Sequence, residues 1–274
     1  MGRSALGWLN LVLPRDGKSQ RIISGEPFGS HPRQKLDVYA PRHGSGPFPV
    51  LFFIYGGGWD SGEREDYEFA GRAFAAAGYV TVIADYRVGP EFLYPVFVED
   101  GAAALDWVVG NIADHGGDPA RLFLMGHSAG AYNAVMLGLV GQRFGAPDLD
   151  GRLRGVVGLS GPYDFYPFDV PQSIAAFSHV AEPEQTQPIN LVDETAPPMC
   201  FVHGRKDVTC GPYHSERMAK KLAGLNRPVR LHMHDHLAHA GVLLALLPIL
   251  RWRAPVYQET LDFMQAAAQG DRQV

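Results

Sequence analysis

The chain has 274 residues, 46% of them apolar and 19% charged, with 32 Gly and 21 Pro. A chain of this length buries about three-quarters of the surface its unfolded form exposes, which excludes a disordered or fibrous protein. With 24 Lys and Arg against 29 Asp and Glu, its formal charge of −5 and lack of a basic cluster leave no electrostatic footprint for nucleic acid.

In chain order, residues 5–13 are apolar, broken by Asn10 and followed by Arg15-Asp16-Gly17-Lys18. With no small-residue cleavage site, the stretch reads as a terminal amphipathic turn rather than a signal peptide. No apolar run approaches the ~20 residues that a membrane span needs. Alternation over residues 36–39 predicts an early, half-exposed strand. Residues 49–55 and 79–84 are nearly continuous apolar runs, as strands buried on both faces should be. Runs at 122–125, 155–159, 199–202 and 229–233 complete the strands. Between them, Ala70, Ala73, Phe74 and Ala77 share one helical face, as do Leu105, Val108, Val109 and Ile112. Residues 131–140 form an apolar helical stretch, and weaker helical spacing occurs at 215–225 and 259–268. This alternation predicts an α/β fold, a mostly parallel sheet flanked by helices, in a single domain over residues 1–274. Residues 161–198 resist the pattern. Rich in Pro and aromatics, with a short helix near 173–181, they read as a short lid insertion on the side where the strand C-termini open and ligands bind.

The two cysteines are too few for a disulfide framework and have no metal-site spacing. Cys200 lies in an apolar run and Cys210 in a loop, a usage that suits a reducing, cytoplasmic setting.

The sharpest motif is Gly126-His127-Ser128-Ala129-Gly130, between the strand at 122–125 and the helix at 131–140. A G-x-S-x-G in a strand–turn–helix context is a nucleophile elbow. The turn is so tight that the residues two before and two after the serine must lack side chains. Ser128 also opens the helix, so the Ala129 amide and the positive helix end face any oxyanion formed there.

An activated serine needs a base, and the base an orienting acid, in the chain order Ser, Asp/Glu, His. Asp207 follows the strand at 199–202 and is the favoured acid, with Asp164 its rival. For the base, His232-Met-His234-Asp235-His236-Leu-Ala-His239 offers four histidines. His232 and His234 lie at strand spacing on one face. His239 stands past the strand end, in a loop opening a helix, where it can swing over the serine; His236 is the runner-up. A histidine metal site is conceivable through Asp235 but has no motif behind it, so no metal is expected. The run Tyr55-Gly56-Gly57-Gly58-Trp59 ends the strand at 49–55, and its amides can approach an oxyanion because no Cβ intervenes. Gly57 and Gly58, with Ala129, are the candidate oxyanion donors. A dinucleotide cradle, with Asp85 as its ribose acid, is the alternative, but the G-x-G-x-x-G spacing is absent.

Together, Gly-Gly-Gly-Trp59, Asp85-Tyr86-Arg87, the Gly-His-Ser-Ala-Gly elbow, His203-Gly-x-x-Asp207 and His239 resemble the esterase/lipase branch of the α/β-hydrolases. That branch includes the hormone-sensitive-lipase-like bacterial carboxylesterases, the feruloyl-esterase-like enzymes and the arylformamidases. The resemblance runs from about Leu36 to Met264. It implies a mostly parallel sheet of about eight strands, a Ser-His-Asp triad, no cofactor and short acyl substrates. It also gives Asp85-Tyr86-Arg87 and Asp100 structural roles. Tyr55 departs from the family pattern, which usually has His there, and raises the question of how the glycine loop is braced.

The resulting expectation is a serine carboxylesterase taking a small-molecule ester. Ser128 is its nucleophile, His239 its base and Asp207 its orienting acid, with Gly57, Gly58 and Ala129 as the oxyanion hole. Trp59, Tyr163, Phe165, Tyr166 and Phe168 are the candidate substrate-pocket residues. An arylformamidase or other amidase on the same residues is the enzymatic alternative. A non-catalytic ligand-binding member of the fold is the alternative from another class.

Overall fold

The computed structural model describes Gly7 and residues 16–270; apart from Gly7, the apolar stretch 5–13 lies outside the described residues. One eight-stranded sheet organises the chain. Its strands are β1 (Ser19–Pro27), β2 (Lys35–Pro41), β3 (Phe48–Ile54), β4 (Val80–Ala84), β5 (Gly117–His127), β6 (Leu153–Leu159), β7 (Met199–Gly204) and β8 (Val229–His234). They lie in the order β1-β2-β4-β3-β5-β6-β7-β8. The β1–β2 and β2–β4 pairs are antiparallel and the remaining pairs parallel. All five residues of β4 and all six of β7 are buried, the condition that continuous apolar strands require.

Among the described residues the α-helices are α1 (Glu68–Ala76), α2 (Val96–Asn111), α3 (Ala129–Val140), α4 (Pro171–Phe177), α5 (Pro188–Leu191), α6 (Tyr213–Gly224), α7 (His239–Leu244) and α8 (Val256–Ala268). Two expectations need correcting. The early strand is buried rather than half-exposed, because β2 lies between β1 and β4 and not at an edge. Its Asp37 is sealed in by Arg64 Nε at 2.9 Å and the Gly25 amide at 2.8 Å. The outer strand β1 was not anticipated. It is mostly exposed, its only apolar pair is the adjacent Ile22-Ile23, and it exists through its pairing with β2.

Parallel strands end on the same side of a sheet. The turns after β3, β5, β6, β7 and β8 therefore converge, and they carry Gly57, Ser128, Pro162, Asp207 and His239 respectively. The segment 161–198 contains α4 and α5, and α4 stops at Phe177, short of the anticipated extent.

Candidate active site

β5 ends at His127 and α3 begins at Ala129, so Ser128 turns the chain alone, at φ 55° and ψ −125°. A non-glycine residue at positive φ stores strain, a feature that clusters at functional sites. The Ser128 amide is tied to the Leu159 carbonyl at 2.9 Å. A Cβ on Gly126 would lie 2.1 Å from the Gly130 carbonyl oxygen, and one on Gly130 would lie 2.1 Å from that of Ile54. Both glycines are therefore steric necessities of the elbow.

His239, the first residue of α7, presents Nε2 to Ser128 Oγ at 2.9 Å and Nδ1 to Asp207 Oδ2 at 2.7 Å. With Nδ1–H donating to the carboxylate, Nε2 is the acceptor for the serine hydroxyl. Asp207 Oδ1 accepts the amides of Thr209 at 3.0 Å and Cys210 at 2.8 Å. Burial works against this carboxylate. Hydrogen bonds from His203, His239 and the Cys210 amide more than offset it and hold the carboxyl well below its ordinary range. His203 is fully buried, with Nδ1 at 2.8 Å from Ser215 Oγ and Nε2 at 2.8 Å from the Cys210 carbonyl. Its contact with Asp207 escaped sequence reasoning, although the His-Gly-x-x-Asp spacing carried the signal.

The other candidate acids and bases are engaged elsewhere. Asp164 pairs with Arg217 at 2.6 Å. His236 meets the Arg253 carbonyl at 2.5 Å, and His232 and His234 flank Glu259 at 3.3 and 2.9 Å. Burial of Glu259 is outweighed by these two histidines, and its carboxyl is lowered to about 2. Among the described residues no group of three or more His, Cys, Asp or Glu is placed to hold a metal.

The glycine run adopts backbone that side chains avoid. Gly57 lies at φ 144°, where a Cβ would sit 2.2 Å from the Ser61 carbonyl, and Gly58 lies at φ 61°. The Gly57 carbonyl is taken by the Asp60 and Ser61 amides. Among the described residues none of the turn and loop hydrogen bonds uses the amides of Gly57, Gly58 or Ala129, and all three residues line the cleft over Ser128.

Tyr55 answers how the loop is braced. Its buried hydroxyl donates to Asp85 Oδ1 at 3.0 Å and accepts from Arg33 Nη2 at 2.9 Å. Arg33 also binds the carbonyls of Gly62 and Tyr86, at 2.7 and 2.9 Å. Asp85 is further held by the Arg64 amide at 2.7 Å and by the Arg64 guanidinium, an anchoring unlike a ribose-binding role. Asp100 is clamped by Arg87, Nη2 to Oδ1 at 2.7 Å and Nε to Oδ2 at 2.9 Å.

The cleft encloses about 730 Å³. Trp59 and Phe165 line it, while Tyr163, Tyr166 and Phe168 do not. Tyr163 is fully buried, its ring 5.1 Å from that of Phe201. Tyr166 is 43% exposed against Phe168, and Phe168 stacks on Phe177 at 5.6 Å. Aromatic residues of a loop fill whichever void the tertiary packing offers, so their proximity in sequence did not make them one wall. Packed against Trp59 are Phe97, Tyr132, Phe165 and Phe177, with ring centroids between 4.9 and 6.0 Å from it. Sequence reasoning also missed Tyr67, His127, Gln172, Tyr213 and His214 in the cleft wall. His127 approaches the His239 carbonyl at 3.4 Å; burial, reinforced by the neighbouring His239 ring, lowers its pKa to about 3.

The family model BD-FAE matches residues 36–222. The chain is similar to a probable isoprenylcysteine alpha-carbonyl methylesterase, ICMEL1, of Arabidopsis thaliana, 28% identical over 242 residues, 79% of this chain and 50% of that protein. It is also similar to esterase LipC of Mycobacterium tuberculosis, 30% identical over 222 residues, 73% of this chain and 55% of that protein. The chain thus spans about half the length of these curated relatives. Among solved structures, Lactobacillus rhamnosis esterase B inhibited by a tributyrin phosphonate superposes with a TM-score of 0.84 at 18% identity, over 98% of this chain and 92% of that one. A bacterial heroin esterase gives 0.75 at 21% identity, over 97% and 89%. At these identities the likeness is one of fold, the α/β-hydrolase fold. With the family model covering most of the sheet and the elbow, the chain belongs to the BD-FAE family, in the esterase/lipase branch of the α/β-hydrolases.

Proposed function

We propose that the chain is a serine carboxylesterase that hydrolyses short-chain acyl esters through an acyl-enzyme. The observation that carries this reading is the hydrogen-bonded line from Ser128 Oγ through His239 to Asp207, 2.9 and 2.7 Å long, at the foot of the cleft. Ser128 Oγ attacks the ester carbonyl while His239 Nε2 takes its proton. The amides of Gly57, Gly58 and Ala129 receive the oxyanion. Collapse of the tetrahedral species breaks the bond to the alcohol, which leaves with the proton from His239. A water, deprotonated by the same nitrogen, then releases the acid and restores Ser128. Asp207 holds the imidazole's orientation and stabilises its cation, and it is the only acid in hydrogen-bond contact with His239 among the described residues.

The aromatic rings packed on Trp59 support the short-chain reading, because Phe97, Tyr132 and Phe177 close-pack against that side of its indole. The family's esterase relatives support the reaction class. Residues 161–198 act in this reading as a short lid within a single domain. Two free, buried thiols, Cys200 and Cys210, are compatible with a cytoplasmic setting.

A fluorophosphonate probe tests the reading. It should label the wild-type chain at Ser128, and Ser128→Ala should lose both labelling and p-nitrophenyl acetate hydrolysis. Labelling that persists in Ser128→Ala would move the nucleophile elsewhere, Ser160 being the first suspect.

A further inference from the structure

His214, the second residue of α6, lines the cleft and is only 4% exposed. Its Nδ1 faces two backbone donors, the amides of Tyr163 at 3.4 Å and Asp164 at 3.2 Å. A ring nitrogen that accepts two N–H groups carries no proton, so the imidazole proton sits on Nε2. Turning the ring over would set a carbon against the same two amides. Burial, with His203 nearby, pushes the pKa of the ring down to about 4, which keeps it uncharged at neutral pH. Nε2–H has no acceptor among the described residues, and it is not one of the polar atoms sealed from solvent. On a residue that lines the cleft, it is a fixed, neutral donor open to a partner there.

The wall around it selects the partner's charge. Asp60 and Asp169 line the cleft, and among the described residues no Lys or Arg does. Arg217, stacked 4.9 Å over the Tyr213 ring, is already paired with Asp164 at 2.6 Å. An anionic group would therefore meet negative charge without compensation, whereas an uncharged oxygen would meet one pre-oriented donor. A hydrocarbon at the same place leaves that donor unpaired, and the cost of an unpaired buried donor is the source of discrimination.

Resting on the esterase reading, we propose that His214 is a specificity-determining residue whose Nε2–H binds an uncharged oxygen (hydroxyl, ether or carbonyl) that the substrate carries away from its scissile ester.

The test is an oxygen scan. In p-nitrophenyl alkanoates and in alkyl acetates, one methylene is replaced by an ether oxygen at successive positions from the γ carbon outward. Each kcat/KM is divided by that of the hydrocarbon isostere and corrected for reactivity with hydroxide. In the wild type one position should gain about tenfold, the worth of one hydrogen bond. His214→Phe should bring the ratio to within about twofold of unity, and His214→Gln, whose amide also donates, should restore most of it. A merely structural role would depress both substrates together and leave the ratio standing. A carboxylate at the favoured position should be at least about tenfold worse than the ether. A flat wild-type scan alongside intact p-nitrophenyl acetate hydrolysis overturns this inference alone; absence of acetate hydrolysis overturns the esterase reading beneath it. An ether preference that survives in His214→Phe, or a carboxylate that outruns the ether, also overturns it. His214→Leu supplies the same comparison if His214→Phe does not fold, and the wild-type scan needs no variant.

Discussion

His203 Nε2 lies 3.2 Å from Asp207 Oδ2, the same oxygen that accepts His239 Nδ1 at 2.7 Å. One carboxylate oxygen is thus shared by two imidazoles, one buried and one facing the serine. His203 Nδ1 is engaged by Ser215 Oγ, so its proton sits on Nε2, shared between the Cys210 carbonyl at 2.8 Å and Asp207 Oδ2. A hydrogen bond to a charged group contributes about 1.5–3 kcal/mol, and each ~1.4 kcal/mol is a factor of ten. His203→Phe should lower kcat by roughly ten- to a hundredfold and leave KM nearly unchanged, because in the proposed mechanism the lost contact orients the Asp207–His239 pair and touches no substrate. Steady-state kinetics check this. A KM effect with kcat intact would mean that His203 shapes the cleft instead.

The phenol of Tyr55 joins Asp85 to Arg33 beneath the glycine loop. In Tyr55→Phe, Arg33 keeps the Gly62 carbonyl and Asp85 keeps Arg64, so neither charge is stranded. The expected cost is about 1–2 kcal/mol of stability, read from urea denaturation. If the phenol also positions the Gly57 and Gly58 amides, kcat falls several-fold as well. Lost stability with unchanged kcat would separate the brace from the oxyanion site.

Two buried histidines set an acid limit on stability. Burial lowers His127 to about 3 and His214 to about 4, from an ordinary 6.5. Above pH 6.5 both are neutral, folded or unfolded, and contribute nothing. Below it the unfolded chain takes up protons that the folded chain refuses. Each histidine therefore removes about 1.4 kcal/mol per pH unit as pH falls towards its folded value. Asp207 and Glu259, whose carboxyls are held low in the fold, act in a separate window: their contribution is complete above the ordinary carboxylate range and is lost only below about pH 4. Urea denaturation at pH 7, 6 and 5 should show the histidine slope, and His127→Asn should reduce it by about half. An unaltered slope in that variant would count against the assignment.

Acyl-chain length tests the proposed short-chain preference. A pocket gains about 1–3 kcal/mol for each methylene it accommodates and nothing for carbons left in water. Activity on p-nitrophenyl esters should peak at acetate to butyrate and fall beyond about six to eight carbons. A maximum at decanoate, measured without detergent, would require the rings around Trp59 to open.

The chain alone determined most of the scaffold and named Ser128, Asp207 and His239 as candidates. Short-range sterics and strong apolar runs write themselves into sequence. Gly126 and Gly130 are needed because no Cβ fits there, and the central strands are continuous apolar runs because both of their faces are buried. What remained hidden depends on neighbours far along the chain. β1 has no apolar alternation and exists through β2. Sequence proximity grouped Tyr163, Phe165, Tyr166 and Phe168, but packing sent only Phe165 of these to the cleft, beside Trp59, and put Tyr163 against Phe201. Tertiary structure also decided which histidines matter. His232 and His234 went to Glu259, His203 to Asp207 and His214 to two loop amides, because a buried polar side chain must take whatever partner the fold brings within reach.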